Sequence, residues 1–548
     1  MGDRFLDYYR HRISRETKLA ILSAIVIGLL VHVFKFVNVL PHQDSLFNFY
    51  STQNMTKSGR WFLSVACSVS SLFDLPWITG LLALIWIALT SAIIIDIFKI
   101  RNKVLIVLVS GLLVSFPAVT ATFSFGYTSD GYMLAMLFSA IAVRLSLIES
   151  STKYMPVSML FLCLACGIYQ AYLSFALVLS ICYFALELLD NRYPFQVYLK
   201  FIVKHGVCYV LGVISYFVVW KICLSLQGGL ATTYQGMELS QAIDIHTING
   251  ALYESFLGFM SFFVGYSEAD HHTWASYLNV TFLLLTTTVV VIALWKSGIY
   301  KRRLQLLLLG ICLALIPVAV YIMRFISPGV AYGTRMLQSI CLIYIMVGVI
   351  CVRWIHPNLS DVVAVCLSLL VISNSLTANI FYWYMDRMYT QSYATAIELS
   401  TRMHLLDDGS CDAILIVGEL DEFSDEMYDS PGGLLQLGSI KTVRRNLFSV
   451  DSTTSVLFLS EVLDFELAYY TNQPDRTVPL LDIPVDSEWP MAPDWECYFP
   501  LAQGERAEAI TASTAFAEMN CWPAADAVQI IDNTIVIKLS DVEVSGGN

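Results

Sequence analysis

The chain has 548 residues, of which 57% are hydrophobic and 14% charged, with a formal net charge of −12 and a mean hydropathy of +0.64. Ordinary soluble domains carry about 45–50% apolar and about 25% charged residues. This composition therefore excludes an ordinary soluble enzyme, a disordered protein and a nucleic-acid binder, and points to an integral membrane protein. The charge is unevenly spread. Residues 384–548 hold 28 acidic and 8 basic side chains, whereas the 383 residues before them hold 16 acidic and 24 basic. The sequence divides accordingly into a multi-span membrane domain, 1–383, and an acidic soluble domain, 384–548.

A helix needs about 20 mostly apolar residues to cross a bilayer. Such stretches fall at Lys18–Leu40, Pro76–Phe98, Lys103–Thr122, Gly131–Ile148, Lys204–Leu226, Ala275–Trp295, Leu304–Met323, Met336–Trp354 and Asp361–Trp383. The run Pro156–Leu189 would reach about 50 Å as a single helix, too far for one crossing. It is expected to form two short helices broken around Gly167–Tyr172. The fold class is thus an α-helical polytopic membrane protein of about eleven crossings.

Cytoplasmic loops retain Lys and Arg, and with eleven crossings the basic clusters all fall on one side. They are Arg4 to Lys18, Lys99 to Lys103, Arg144 with Lys153, Arg192 to Lys204, Lys296 to Arg303, and Arg353. This places the amino terminus in the cytoplasm and the acidic domain outside. The first span exceeds a signal-peptide core and lacks a small-residue cleavage site, so it reads as a signal anchor.

In the acidic domain, Ala413–Val417, Ser455–Leu459, Val528–Ile531 and Thr534–Lys538 have strand character, the last two flanking Asp532-Asn533 as a hairpin turn. Tyr393–Leu406 and Glu505–Met519 have helical character. A small extracytoplasmic α/β domain is expected, its acidity arguing against an acidic polymer or anionic lipid as its ligand. Most cysteines lie in apolar spans and act as small hydrophobes there. Cys163 and Cys166 have redox spacing but sit in a lipid-embedded helix. Cys411, Cys497 and Cys521 face an oxidising compartment, where one pair is able to bridge.

The outward segments carry the candidate chemistry. They are His42 to Asp74, Phe123 to Asp130, the Tyr169–Tyr172 break, Gln227 to Trp274, and Arg324 to Arg335. The first is expected to hold an amphipathic helix at the interface, with Phe47, Tyr50, Trp61 and Phe62 dipping into lipid. Asp44, a carboxylate among aromatics at the membrane surface, is suited to act as a base; the alternative is a solvated loop acid. Asp130 reads either as a second acid or as the N-cap of the following span. Outward arginines are uncommon, so Arg60, Arg324 and Arg335 each ask for a partner. A phosphate at headgroup depth suits a guanidinium fork, with headgroup anchoring or pairing with acids as the alternative. Lys35 is placed to snorkel to the same layer.

Other motifs carry less. No Walker A loop and no Gly-x-Gly-x-x-Gly after a strand is present, so nucleotide binding has no support. Glu268, Asp270, His271 and His272 form a polar loop more readily than a metal site. Asn54-Met-Thr56 and Asn279-Val-Thr281 match the glycosylation triplet, a pattern common by chance.

A basic amino terminus, a first span and an outer-loop Asp followed by Gly-Arg-Trp (Asp44 … Gly59-Arg60-Trp61) resemble the glucosyl transferase GtrII-like family of O-antigen-modifying enzymes. That family belongs to the GT-C superfamily of polyprenyl-phosphate-sugar-dependent glycosyltransferases. The Tyr169-Gln170 step and the late Arg335 in Tyr332-Gly-Thr-Arg335-Met-Leu add to the resemblance, which covers about Thr17 to Trp383. It implies a GT-C-like fold and transfer of a sugar, glucose by the family's habit. The donor would be polyprenyl-phosphate-sugar and the acceptor a hydroxyl of a surface polysaccharide such as O-antigen, on the outer face of a bacterial inner membrane.

In that reading Asp44 is the catalytic base, assisted by Asp130. Arg60, Arg335 and Arg324 bind the donor phosphate, while Tyr169, Gln170 and Trp61 contact substrate. Inversion at the anomeric carbon follows by analogy with the family. No cofactor is implied. The paired acids usual in the first outer loop of the superfamily are replaced here by Gln43-Asp44, which weakens a metal-dependent version while leaving a divalent ion open. Membrane lipid is a partner and nucleic acid is not. The competing readings are a lipid-linked glycan flippase, a glycan polymerase and a non-catalytic scaffold. A transporter would show mid-span charges and repeated halves; mid-span charges are few, Asp96 and Arg144 lying nearer the cytoplasmic ends, and no repeat is evident.

Overall fold

The structure is a computed structural model. It describes residues 13–46, 48, 51–70, 75–148, 152–227, 245–264, 274–327, 330, 332–406, 411, 413–420, 447–449, 455, 458–459 and 505–541. The chain divides into two compact units. The first runs to Val39 and resumes over Tyr50–Ile380, and the second takes in Leu40–Phe49, Phe381–Asp429 and Ile440–Asn548.

Among the described residues, eight helices are long and apolar enough to cross a membrane: Arg15–Val37, Pro76–Ile97, Lys103–Ser124, Gln170–Asp190, Phe195–Leu226, Tyr277–Ser297, Arg303–Val320 and Pro357–Leu406. The apolar helices Met155–Ile168 and Gln338–Trp354 are shorter. Helix starts follow local chemistry. Ser14 and Asn102 cap their helices by accepting from the amides of Thr17 and Leu105, each at 3.0 Å. Pro76 and Pro117 occupy first-turn positions, where a missing N–H costs nothing.

Within the first unit the Arg15–Val37 helix packs on Pro76–Ile97 and Lys103–Ser115, Pro76–Ile97 on Ser129–Ser146, and Met155–Ile168 on Phe195–Leu226. Small residues permit the first of these contacts. A Cβ on Gly28 would stand 2.2 Å from Leu84 Cδ1, and one on Gly80 2.2 Å from Phe36 Cδ1. This is the close backbone approach that small residues allow between apolar helices. The long run ends its first helix at Ile168 and restarts at Leu173, with a short 3-10 turn at Gln170–Tyr172 between them.

Several expectations differ from the structure. The stretch Gln227–Trp274, expected as loop, contains a helix over Ile245–Val264; Gly250, Glu254 and Gly258 interrupt its apolar run and hide it. The first outer segment is not a single amphipathic helix among the described residues. Short helical turns at Gln43–Leu46, Thr56–Ser58 and Leu63–Ala66 surround a bridge between Met55 and Arg60, with Gly59 supplying the left-handed conformation at φ 82° that the reversal requires. Phe47 and Tyr50 lie outside the described residues. Lys35 does not extend to solvent; it is buried, at 6% exposure.

In the second unit β1 (Ala413–Val417), β2 (Val528–Ile531) and β3 (Thr534–Lys538) form a sheet ordered β1-β3-β2. β1 runs parallel to β3, pairing Ala413 with Thr534, and β2 runs antiparallel to it. Asp532 and Asn533 adopt φ of 50° and 53°, the two positive values of a type I′ turn. One side of the sheet buries Ile414, Ile416, Ile535 and Ile537 in a core with Leu399, Phe448 and Phe458. The described residues of the expected strand Ser455–Leu459, namely Ser455, Phe458 and Leu459, are helical instead. Phe458 and Leu459 serve the same core from a helix. The expected helix Tyr393–Leu406 is the end of a continuous helix from Pro357, and Glu505–Met519 resolves into Glu505–Thr511 and Thr514–Glu518. Cys411 and Cys521 are both free thiols; Cys497 lies outside the described residues.

Candidate active site

The Thr56–Arg60 turn is held in place from two directions. Gln170, in the break between the two short helices, donates from Nε2 to the Ser58 carbonyl at 2.8 Å and to the Tyr216 hydroxyl at 3.0 Å. Tyr216 donates to the Gly59 carbonyl at 3.1 Å, and Trp220 Nε1 to the Thr56 carbonyl at 2.7 Å. The carbonyls of Thr56, Ser58 and Gly59 thus receive side-chain donors from the break and from the Phe195–Leu226 helix. A backbone bond from Phe62 N–H to the Gly167 carbonyl at 2.8 Å secures the next residues. The Trp61 ring lies against Gly167, and its Nε1 is buried with no hydrogen-bond partner among the described residues.

This grip fixes Arg60. Its guanidinium donates to the Tyr132 hydroxyl at 3.1 Å and stands 4.8 Å over the ring centre of Tyr169. Tyr169 in turn stacks on Tyr132 at 4.4 Å and 10°. Cation–π contact of this kind is worth about 0.5–2 kcal/mol. Arg60 makes no ion pair among the described residues. A second cation acts on it, because Arg335 is near enough to repel it. Arg335 lies 4.1 Å over the Phe125 ring, on the Thr334–Met336 turn that packs on Pro117–Ser124. Lys35 brings a third charge to the same segment, its Nζ 3.9 Å from where a Cβ on Gly126 would stand. Cations gathered around neutral phenols and rings make a place where an anion is favoured.

The structure therefore brings together Arg60, Trp61, Tyr169, Gln170 and Arg335 of the sequence candidates. Arg324 differs, since it pairs with Glu254 of the unexpected helix and lies 5.2 Å over the Tyr332 ring. Asp130 is 1% exposed and sits in the first turn of the Ser129–Ser146 helix. Its carboxylate accepts from Ser70 Oγ and from the Gly131 amide at 2.9 Å. It faces Ser70 and Cys67, whereas Tyr132 two residues on faces Arg60. Thr128 is the N-cap of that helix and makes no side-chain capping bond.

Asp44 belongs to the second unit. It lies in the short Gln43–Leu46 helix, which packs Leu46 into the core of that unit. Its amide donates to His42 Nδ1 at 3.2 Å and its carbonyl accepts from Asn48 at 2.7 Å. The half-buried carboxylate makes no hydrogen bond or ion pair among the described residues. No metal-binding group of His, Cys, Asp or Glu occurs among the described residues, and Glu268, Asp270, His271 and His272 lie outside them.

Sequence reasoning missed Tyr132, Tyr216 and Trp220. Their signal was available in the clustering of Tyr and Trp at span ends, but their hydrogen-bond partners lie 46 to 164 residues away, a separation that no local pattern encodes. Tyr332 stood inside the Tyr-Gly-Thr-Arg motif without a role of its own. It anchors the loop by accepting from the Met323 amide at 3.0 Å.

The family model described as Glucosyl transferase GtrII matches residues 33–335, a span that takes in every candidate residue above. No curated protein and no solved structure matches the chain.

Proposed function

The chain belongs to the glucosyl transferase GtrII family, and from that premise we propose that it moves a glucosyl group from a polyprenyl-phosphate donor to a hydroxyl of a surface polysaccharide such as O-antigen, on the extracytoplasmic face of a bacterial inner membrane. Outside the cytoplasm no nucleotide-sugar pool exists, so the donor must travel on a lipid, with its phosphate at headgroup depth and its tail in the bilayer. The observation that carries this reading is Arg60, held over Tyr169 with Arg335 near it and no carboxylate paired to it among the described residues.

In the reaction the acceptor hydroxyl attacks the anomeric carbon and the bond from that carbon to the phosphate oxygen breaks. The hydroxyl proton passes to Asp44, and the polyprenyl phosphate leaves carrying the added negative charge. Arg60 and Arg335 stabilise that charge as it develops, the electrostatic role that typically dominates such transfers. General-base help of the Asp44 kind is worth about 10²–10⁴ in rate. Attack opposite to the leaving phosphate inverts the anomeric centre. Trp61, Tyr169 and Gln170 shape the donor side, with Gln170 acting through the turn it holds. Asp130 acts at a distance, by tying Ser70 and so the segment after Trp61 to its own helix. No cofactor enters the scheme, and the acidic C-terminal domain lies outside the membrane.

Donor affinity tests the phosphate role. Arg60→Ala is expected to weaken binding of polyprenyl-phosphate glucose about tenfold or more, because a charge-assisted bond is worth roughly 1.5–3 kcal/mol. Arg324→Ala is expected to change it less than about threefold, since Glu254 already compensates that charge. Equal losses in the two variants, or none in either, would sink the assignment.

A further inference from the structure

Away from the arginine cluster, the turn joining the Leu173–Asp190 and Phe195–Leu226 helices borders an open pocket of about 350 Å³. Tyr193, Tyr198 and Phe201 give it aromatic walls, while Glu187, Lys200 and Lys204 give it charge. The corner is a built feature. The Tyr198 hydroxyl donates to the Glu187 carbonyl at 2.8 Å and accepts from the amides of Arg192 and Tyr193 at 3.1 and 3.3 Å. Gln305 ties the Tyr193 carbonyl from a third helix at 2.8 Å.

The charges are not balanced. Asp190 is taken up by Arg192 at 3.0 Å and Arg353 at 3.5 Å. Glu187 lies in the field of Lys99, Arg192 and Arg353 as well as that of Asp190. Lys200 and Lys204 stand one turn apart on one helix face and make no ion pair among the described residues. The same face continues as Val203, Val207, Leu211 and Ile214, all exposed at 42–55%, a stripe that suits hydrocarbon.

We propose that this corner binds an anionic glycerophospholipid. The phosphate sits between Lys200 and Lys204, the glycerol lies against Tyr193 and Phe201, and the acyl chains run along Val203, Val207, Leu211 and Ile214. A basic, aromatic-lined pocket at one end of two helices long and apolar enough to span a membrane, beside an exposed apolar stripe, is chemistry that recognises anionic headgroups. Glu187 opposes the phosphate and tempers affinity. The inference rests on these two helices crossing the membrane, and it is independent of the transferase reading.

The test uses the full chain, delipidated in detergent and titrated with phosphatidylglycerol, phosphatidylcholine or polyprenyl phosphate, with bound lipid read by native mass spectrometry. The native protein is expected to prefer phosphatidylglycerol to phosphatidylcholine. Lys200→Gln with Lys204→Gln should weaken that binding roughly 30-fold, from the contribution of two lysines near an anionic headgroup. Arg302→Gln with Arg303→Gln, at another basic helix end, should leave it unchanged. Glu187→Gln should strengthen it, a change that no misfolded variant produces. Equal binding of phosphatidylcholine, unchanged binding in the double lysine variant, or weakened binding in Glu187→Gln would each overturn the proposal. Preferential uptake of polyprenyl phosphate, lost with the lysines, would assign the corner to the isoprenoid carrier instead and overturn the phospholipid reading.

Discussion

Gly167 is the position where the structure makes its sharpest mechanical prediction. It lies in the last turn of the Met155–Ile168 helix, and a Cβ there would stand 2.6 Å from Trp61 Cε2, 2.7 Å from Cζ2 and 3.0 Å from Nε1. Carbon atoms in contact prefer about 3.5–4.0 Å, so Gly167→Ala forces the indole back by roughly 1 Å. Alanine is also the better helix former, by up to about 1 kcal/mol in a helix interior, which acts in the opposite direction. The clash should win because the indole has little freedom to retreat. The Phe62 amide is bonded to the Gly167 carbonyl, Arg60 to Tyr132, and the Ser58 carbonyl to Gln170. Overpacking of this kind costs about 1–3 kcal/mol, leaving a net loss of about 1–2 kcal/mol.

The assay is thermal unfolding of the purified chain in detergent, where a loss of this size lowers the midpoint by a few degrees. The double variant Gly167→Ala with Trp61→Leu removes the atoms that clash and should recover stability relative to Trp61→Leu alone. A Gly167→Ala protein as stable as the native one, or more so, would refute the packing of Trp61 on this helix. Failure of Trp61→Leu to relieve the cost would do the same.

Two further predictions rest on separate elements. Tyr216→Phe leaves the Gly59 carbonyl and one Gln170 proton without their partner, so it should cost about 1–2 kcal/mol and weaken donor binding by loosening the turn that carries Arg60; unchanged melting and unchanged donor affinity would count against the grip. Asn533→Val puts a β-branched side chain at φ 53° and should destabilise the second unit by about 1–2 kcal/mol, visible as faster proteolysis after the last membrane helix, whereas Asn533→Gly should be tolerated.

How much of this was legible in the sequence depends on the range of the interactions. The spans could be read because hydropathy is summed over twenty residues and survives single exceptions, as Pro76–Ile97 and Lys103–Ser124 illustrate. Length alone separated Met155–Ile168 from Leu173–Asp190, because one helix could not be that long and cross once. The β2–β3 hairpin was visible in Asp532-Asn533, residues that tolerate the positive φ they adopt. By contrast, the Ile245–Val264 helix was masked by Gly250, Glu254 and Gly258. Sequence proximity suggested that Asp44 and Arg60 share one outer loop. The structure assigns Asp44 to the second unit, because Leu46 buries itself among Leu399, Phe448 and Phe458. Arg60, Tyr169 and Gln170 were each picked out singly. That Gln170 holds the turn carrying Arg60, by way of Tyr216, is a long-range fact that only the fold supplies.

The most direct test of the central claim is sugar transfer by the purified chain reconstituted in lipid with polyprenyl-phosphate glucose and an O-antigen acceptor, compared with Asp44→Asn and Arg60→Ala. The account predicts glucose incorporation by the native protein, a fall of about 10²-fold or more in Asp44→Asn with donor binding retained, and a loss of both donor binding and transfer in Arg60→Ala. Full transfer by Asp44→Asn would remove Asp44 as the base. A native protein that binds the donor and moves no sugar to any acceptor hydroxyl would contradict the proposed reaction itself.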